Sequence, residues 1–409
     1  MIDINRLRQD TKALHALLKK DPSFPVQELL NLDTLVREAS AYVDLLRSQK
    51  NECAKKAQTG LTEALRQESV AISKELKEKE IELKEVQEAF MTLALSCPNI
   101  PYDDVPEGNK EENEVVKEFG QKPSFAFPLK HHQELGQLNK WFDFEAGVRV
   151  AGSQFIWYDQ EGARILYALA FFMLKNNKKH GFDVVIPPAF ANEQTLTVTG
   201  NFPKFQEDVF HIEGTSLCPI PTAEVNLVNK YRDTIIAHEK LPIRLTAWTS
   251  CFRSEAGNYG KMERGLIRIH QFEKVELVTL CEPEKVQEEQ DRMIACAEDI
   301  LQQLGLHYRI SLLAGQDCSF ASAKTYDIEA WLPGQDRYYE VSSASNCTDF
   351  QARRGKIRYR KEVGGKTELV YTLNASSLAL PRLMVALMET YQQADGTIKL
   401  PKVLEPYLL

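Results

Sequence analysis

An α+β fold is predicted: an antiparallel β-sheet flanked by helices, with an antiparallel helical coiled-coil arm ahead of it. Three observations carry this. Residues 31–95 contain no proline and a single glycine, Gly60, and are rich in Glu, Lys, Ala and Leu. From about residue 120 onward, short alternating strands and amphipathic helices mix without regular βαβ order, which favours an antiparallel sheet over a doubly wound parallel one. Neither the glycine fingerprint of dinucleotide folds nor a P-loop occurs, which excludes those two ways of cradling phosphate.

The arm follows from periodicity. Stepping alternately four and three residues from Leu65 gives Leu65, Ser69, Ile72, Leu76, Lys79, Leu83, Val86, Phe90 and Leu93, a mostly apolar heptad seam. Leu32, Leu35, Ala39, Tyr42, Leu46 and Cys53 give a looser version upstream. Gln58-Thr59-Gly60 interrupts the two, and Thr62 is placed to cap the second helix. So short a break makes the helices antiparallel neighbours. Cys97-Pro98-Asn99-Ile100-Pro101 ends the arm, and a Pro-, Gly- and Glu-rich connector runs to about residue 120.

The 409 residues, 43% hydrophobic and 26% charged, suit a soluble chain of two or three domains. The net charge of −8 argues against a generally basic nucleic-acid binder but not against a local basic track. Eight scattered cysteines, none in a CxxC pair, fit neither a zinc knuckle nor a disulfide scaffold and suit a reducing cytoplasm. The N-terminus is charged where a signal peptide is apolar, and the longest apolar run, Leu166–Leu174, is too short to span a bilayer. A cytoplasmic protein with no membrane association is expected.

Residues 252–276, FRSEAGNYGKMERGLIRIHQFEKVE, read as strand, long loop and strand. On the second strand, period two puts Arg268, His270, Phe272, Lys274 and Glu276 on one face and Ile267, Ile269, Val275 and Leu277 on the other; Arg253 and Glu255 share a face of the first. Guanidinium, aromatic ring and carboxylates together suit a ligand with phosphate, a base and an ammonium. The alternative is a solvated hairpin face, which any one of these residues alone would fit. Elsewhere, Gly181–Pro188 is an apolar stretch closed by Pro-Pro. Thr222-Ala223-Glu224 offers a hydroxyl and a carboxylate, and equally an ordinary helix N-terminus with Thr222 as its cap. Tyr338–Ser343 runs into a turn with Glu340 and Ser343 as hard oxygen donors. Pro381-Arg382 can open a helix with a guanidinium at its anion-attracting end. The run Arg353, Arg354, Lys356, Arg358, Arg360, Lys361 could meet nucleic-acid phosphates or be the solvated face of an edge strand.

Taken in order, these segments resemble the motifs of the seryl-tRNA synthetases, bacterial type, within the class II aminoacyl-tRNA synthetases: 181–188 motif 1, 252–276 motif 2, 374–382 motif 3. The resemblance implies a dimer through motif 1, an N-terminal tRNA-binding domain over 1–100, a linker over 101–120 and a catalytic domain over 121–409. It implies ATP at Arg253, Ser254, Glu255, Ile269, Phe272, Glu340, Val341, Ser342, Ser343 and Arg382, with Arg253 and Arg382 catalytic. It implies serine at Thr222, Ala223, Glu224, Glu276 and Ser376, and Mg²⁺ at Glu340 and Ser343. Expected partners are tRNA(Ser) and tRNA(Sec). The chain departs from the family at Ala375, Ser377 and Pro381, where glycines are usual, and at Lys261-Met262-Glu263. It ends soon after Arg382, with no room for a C-terminal anticodon domain, so the arm is expected to recognise tRNA. Two other readings are an adenylate-forming paralogue serving a carrier protein and a non-enzymatic coiled-coil nucleic-acid-binding protein.

Overall fold

The computed structural model describes residues 1–60, 62–255, 265–362 and 364–409. Cα packing divides the chain into two compact units, Met1–Cys97 and Pro98–Leu409.

In the first unit, Asp3 and Asp10 cap the short helices α1 (Ile4–Gln9) and α2 (Thr11–Lys20) by accepting from the Asn5 and Lys12 N–H groups. The long helices α3 (Val26–Thr59) and α4 (Glu63–Leu95) then form the hairpin. At 33 residues, α4 is about 50 Å long. Thr62 caps it as expected, its Oγ1 accepting from Leu65 N at 3.2 Å. All nine seam positions from Leu65 to Leu93 are buried or half-buried, while most of the remaining helix is exposed. On the α3 side two of the six expected seam residues, Leu35 and Tyr42, are exposed. Val43, not Tyr42, joins Leu46 and Leu76 in the seam; Tyr42 sits at its rim, where its hydroxyl donates to Glu75 Oε1 at 2.6 Å.

The second unit is built on an eight-stranded sheet. Its strands are β1 (Glu114–Phe119), β2 (Asp183–Val184), β3 (Ile243–Phe252), β4 (Gln271–Cys281), β5 (Tyr308–Leu312), β6 (Lys324–Leu332), β7 (Arg337–Asn346) and β8 (Tyr371–Ala379). They lie in the order β1-β5-β6-β7-β8-β4-β3-β2. Every neighbouring pair is antiparallel except β2, which runs parallel to β3. Helices Gln160–Lys179, Val286–Gln303 and Leu380–Tyr391 supply Leu169, Met173, Ile300, Leu301, Leu383 and Leu387 to the main core. The stretch read as a linker is not one throughout: residues 114–119 are edge strand β1, all six exposed. Only non-local pairing with β5 marks it.

The hairpin at 252–276 also departs from its expected register. Strand β3 stops at Phe252 and β4 starts at Gln271, with Cys251 opposite Phe272. Phe272, Lys274 and Glu276 do share one face, but Arg253, Glu255, Arg268 and His270 lie beyond the strand ends. Glu255 has φ +51°, in the left-handed region. The two segments stay tied, Arg253 N donating to His270 O at 2.9 Å. Residues 261–263 of the departing loop lie outside the described residues.

The basic run does not form an edge strand. Arg358–Arg360 is the middle strand of a small three-stranded sheet, between Thr367–Leu369 and Ile235–Ala237. Arg354 stacks 4.4 Å from the Phe350 ring centroid and donates to Thr197 O at 2.9 Å, while Arg353 pairs with Asp349. All eight cysteines are free and buried. Among the described residues no helix is long and apolar enough to cross a membrane.

Candidate active site

Two adjoining cavities open on one face of the sheet, over β4, β7 and β8. The first is lined by Arg253, Glu255, Ile269, Phe272, Glu340, Val341 and Arg382, with Leu266, Ile267 and Arg268 among the rest. The second is lined by Thr222, Glu224, Glu276, Ser343, Ser345, Asn374 and others. Arg253, Lys274, Glu340 and Ser376 line both.

The first cavity carries excess positive charge. Among the described lining residues, Arg253, Arg268 and Arg382 face two carboxylates, Glu255 and Glu340, while Lys274 is paired with Glu276 of the second cavity. Arg268 Nη1 pairs with Glu255 Oε2 at 2.8 Å, and Arg382 Nη1 with Glu340 Oε2 at 3.2 Å. Arg382 also donates to the Glu340 carbonyl at 3.0 Å, which fixes its fork over the cavity. Its helix, Leu380–Tyr391, has Pro381 in the first turn, where a missing N–H leaves nothing unsatisfied. The Arg253 guanidinium lies 5.2 Å from the centroid of the Phe272 ring. Guanidiniums beside an aromatic ring and a half-apolar wall suit a polyphosphate joined to a planar base.

The second cavity is acidic and tightly bonded. Glu276, 1% exposed, pairs with Lys274, itself 6% exposed. Thr222 Oγ1 joins the pair: it accepts from Lys274 Nζ at 2.9 Å and donates to Glu276 Oε2 at 3.0 Å. The same oxygen accepts from Glu224 N at 3.2 Å, so Thr222 does steady the helix start, although Ala223 occupies the cap position. Glu224 Oε1 accepts from Gln351 Nε2 at 2.7 Å and Asn374 Nδ2 at 2.9 Å. Burial, then the neighbouring Glu276 charge, pushes the Glu224 carboxyl up to about 7, against the Gln351 bond and the charges of Lys274 and Arg253. Two carboxylates around a hydroxyl suit a small ligand bearing an ammonium and a hydroxyl.

Of the residues read from sequence, Arg253, Glu255, Ile269, Phe272, Glu340, Val341, Ser343, Arg382, Thr222, Glu224, Glu276 and Ser376 line the cavities. Three do not. Ser254 turns away and ties the chain to the 207–208 segment, its Oγ donating to Glu207 O and its N–H to Asp208 O. Ala223 is packed in the core with Leu245 and Val278. Ser342 is buried, its hydroxyl donating to Ser376 O. The glycine departures are accommodated for the same reason. Ala375 points into the core, and Ser377 sits at a bulge in β8, donating to Asn177 Oδ1 at 2.9 Å on the far side of the strand. Arg268 and Lys274, placed by the sequence on the candidate strand face without a role of their own, also line the cavities, as does Asn374. For Lys274 the signal was present: it lies two residues before Glu276 on the same strand face.

A divalent cation fits beside Glu340. Glu340 and Ser343 contribute hard oxygens to the second cavity. Opposite Ser343 on β6, Asp327 Oδ1 has no hydrogen-bond partner among the described residues. Burial, then the Glu340 charge, holds the Asp327 carboxyl well above its ordinary range and so favours its neutral form, against a hydrogen bond with Ser343; the negative charge offered to a cation here is that of Glu340. Among the described residues, no three His, Cys, Asp or Glu side chains form a closed metal site, so substrate or water oxygens would complete the shell.

Residues 208–391 match the family described as tRNA synthetase class II core domain (G, H, P, S and T), and residues 1–101 match the seryl-tRNA synthetase N-terminal domain. The serine–tRNA ligase of Exiguobacterium sibiricum is 42% identical over 100% of this chain and 98% of its own length. The crystal structure of seryl-tRNA synthetase from Pyrococcus horikoshii complexed with ATP superposes with a TM-score of 0.94 at 32% identity, covering 100% of this chain and 98% of that one. The cytoplasmic serine–tRNA ligase of Naegleria fowleri in complex with AMP gives 0.87 at 26% identity, covering 100% and 97%.

Proposed function

The chain belongs to the seryl-tRNA synthetases, class II enzymes that attach serine to tRNA, and we propose that its two cavities divide that reaction between nucleotide and amino acid. The observation that carries this division is the meeting of a guanidinium-rich cavity and an acidic one at Arg253, Lys274, Glu340 and Ser376. ATP fills the first, adenine against Phe272 with its edge toward the backbone at Ile269. Arg382 and Arg253 take the γ- and α-phosphates, and Glu255 holds its place through Arg268. Serine fills the second, its ammonium at Glu224 and Glu276, its hydroxyl near Thr222 and Ser376.

The first step needs no general base. A serine carboxylate oxygen bonds to the α-phosphorus, the α–β bridging bond breaks, and pyrophosphate leaves with its charge spread onto Arg382. In the second step the terminal ribose hydroxyl oxygen of the tRNA bonds to the seryl carbonyl carbon, the bond from that carbon to the phosphate oxygen breaks, and AMP departs with the hydroxyl proton on its phosphate. Mg²⁺ bound at Glu340 and Ser343 would neutralise polyphosphate charge.

The exposed hairpin α3–α4 is proposed to hold tRNA(Ser), and tRNA(Sec) as well. Replacing residues 39–93 by a short Gly/Ser turn is then expected to leave serine activation within about threefold while lowering charging of both transcripts at least about tenfold, since affinity there is a sum of backbone contacts. Unchanged charging would remove the role. Dimerisation is proposed through the exposed apolar strip Phe171, Val184 and Ile186, the last 93% exposed; a monomer by sedimentation would contradict it. Eight buried free thiols suit the reducing cytoplasm.

The division of the cleft is tested by amino-acid-dependent ATP–pyrophosphate exchange across all twenty amino acids. Serine alone is expected to drive exchange; exchange with another amino acid, or none, would overturn it.

A further inference from the structure

Part of the wall of the nucleotide cavity comes from residues 266–269, which with Gly265 are loop rather than strand yet have Leu266, Ile267 and Ile269 almost fully buried. Loop backbone needs partners to hold one position. Leu266 N donates to His132 Nε2 at 3.4 Å. His132, 3% exposed, opens a short helix far away in sequence, and its Nδ1 lies 3.2 Å from Glu389 Oε1. Glu389 is fully buried and accepts in addition from His132 N at 3.2 Å, Gln335 Nε2 at 2.9 Å and Gly334 N at 3.0 Å. A carboxylate engaged only by donors requires the proton on Nδ1, which leaves Nε2 as the acceptor that Leu266 needs. The imidazole therefore has one productive tautomer, set on one side by Glu389 and read on the other by the loop.

Gly265 shows how closely the loop rests on this ring. Its φ is +79°, and a Cβ there would stand 2.3 Å from His132 Nε2 and 2.9 Å from the Gln133 side chain. Only glycine lets the backbone seat at that point.

We propose that His132, oriented by Glu389, is a positioning residue for the nucleotide: through Leu266 it fixes residues 265–269, and so sets ATP affinity without touching ATP. This rests on the first cavity being the nucleotide site, and serine-dependent exchange by the unaltered protein establishes that reading independently.

The two amide replacements of His132 separate positioning from mere support of the fold. His132→Asn places its amide near Nδ1, keeping the Glu389 contact but leaving Leu266 N without an acceptor. His132→Gln reaches the Nε2 position. In pyrophosphate exchange, His132→Asn is expected to raise the KM for ATP about tenfold, the scale of one lost buried hydrogen bond, with the KM for serine within about twofold. His132→Gln is expected to restore the KM for ATP to within about threefold. Hydrogen exchange at the Leu266 amide is expected to quicken in the Asn variant and slow again in the Gln variant. Gly265→Ala, which leaves His132 and Glu389 intact, is expected to raise the KM for ATP in the same selective way, and gives the reading if His132→Asn does not fold. An ATP KM unchanged in both His132→Asn and Gly265→Ala, or ATP and serine KM values rising together in both, would overturn the proposal.

Discussion

The two halves of the cleft hold opposite charge, and they hold it differently. On the nucleotide side three guanidiniums face two carboxylates among the described residues, so positive charge is left over for a ligand. On the amino-acid side the charge is already spoken for: Lys274 occupies Glu276, and Gln351 and Asn374 occupy one oxygen of Glu224. On the proposed assignment a polyphosphate would enter a field prepared for it, whereas an incoming ammonium would have to compete with an ammonium of the protein. The first half should fail when a charge is removed; the second should fail when the balance is upset.

The largest effect is expected from Arg382→Ala, which removes the guanidinium fixed by the Glu340 carbonyl. Exchange should fall roughly 10²- to 10³-fold, the scale for losing one preorganised donor to a developing charge, while tRNA binding persists. Near-normal exchange would separate Arg382 from the chemistry.

Glu276→Gln leaves the Lys274 ammonium without its buried partner, and the KM for serine should rise roughly 10- to 100-fold with that for ATP nearly unchanged. Glu273→Gln is the control, because Glu273 lies on the other strand face, accepting from Trp248 Nε1 at 2.6 Å. Equal losses for both substrates in Glu276→Gln would blur the two halves into one site.

The smallest effect is a pH dependence. Glu224 loses its proton at about 7 in the free protein, and a bound ammonium favours the ionised form. Serine affinity is therefore present above that value and lost as pH falls through it. The KM for serine should rise about tenfold from pH 8 to pH 6, and Glu224→Gln should flatten the profile. A profile unaltered in Glu224→Gln would assign the titration elsewhere.

How much of this was legible depended on whether the signal was local. The α4 seam is a period within one helix, and its nine positions face inward as read. At position 42 the α3 seam slipped by one residue because Tyr42 is as apolar as Val43 to a pattern, while its hydroxyl belongs at the rim with Glu75. Ile267 and Ile269 alternate as a strand would, yet they are buried loop residues; period two does not separate the cases when a core lies beside the loop. Strand β1 exists only through β5, and Glu224 meets Gln351 and Asn374 only because three distant segments converge. The residue types of the cleft were readable from motifs. The partners that set their charge come from distant segments and leave no local signal, apart from Lys274, which stands two residues from Glu276 on the same strand face.

Adjacency of the two halves is tested most directly by calorimetric titration with 5′-O-(N-seryl)sulfamoyl adenosine, a stable adenylate mimic that spans both. Linking the two ligands removes most of the cost of binding the second, so the mimic should bind at least about 10²-fold more tightly than ATP, and its alanyl counterpart, lacking the hydroxyl, markedly less tightly. A mimic that binds no better than ATP, or equally well with alanine in place of serine, would contradict a cleft in which a nucleotide half and a serine half meet at Arg253, Lys274, Glu340 and Ser376.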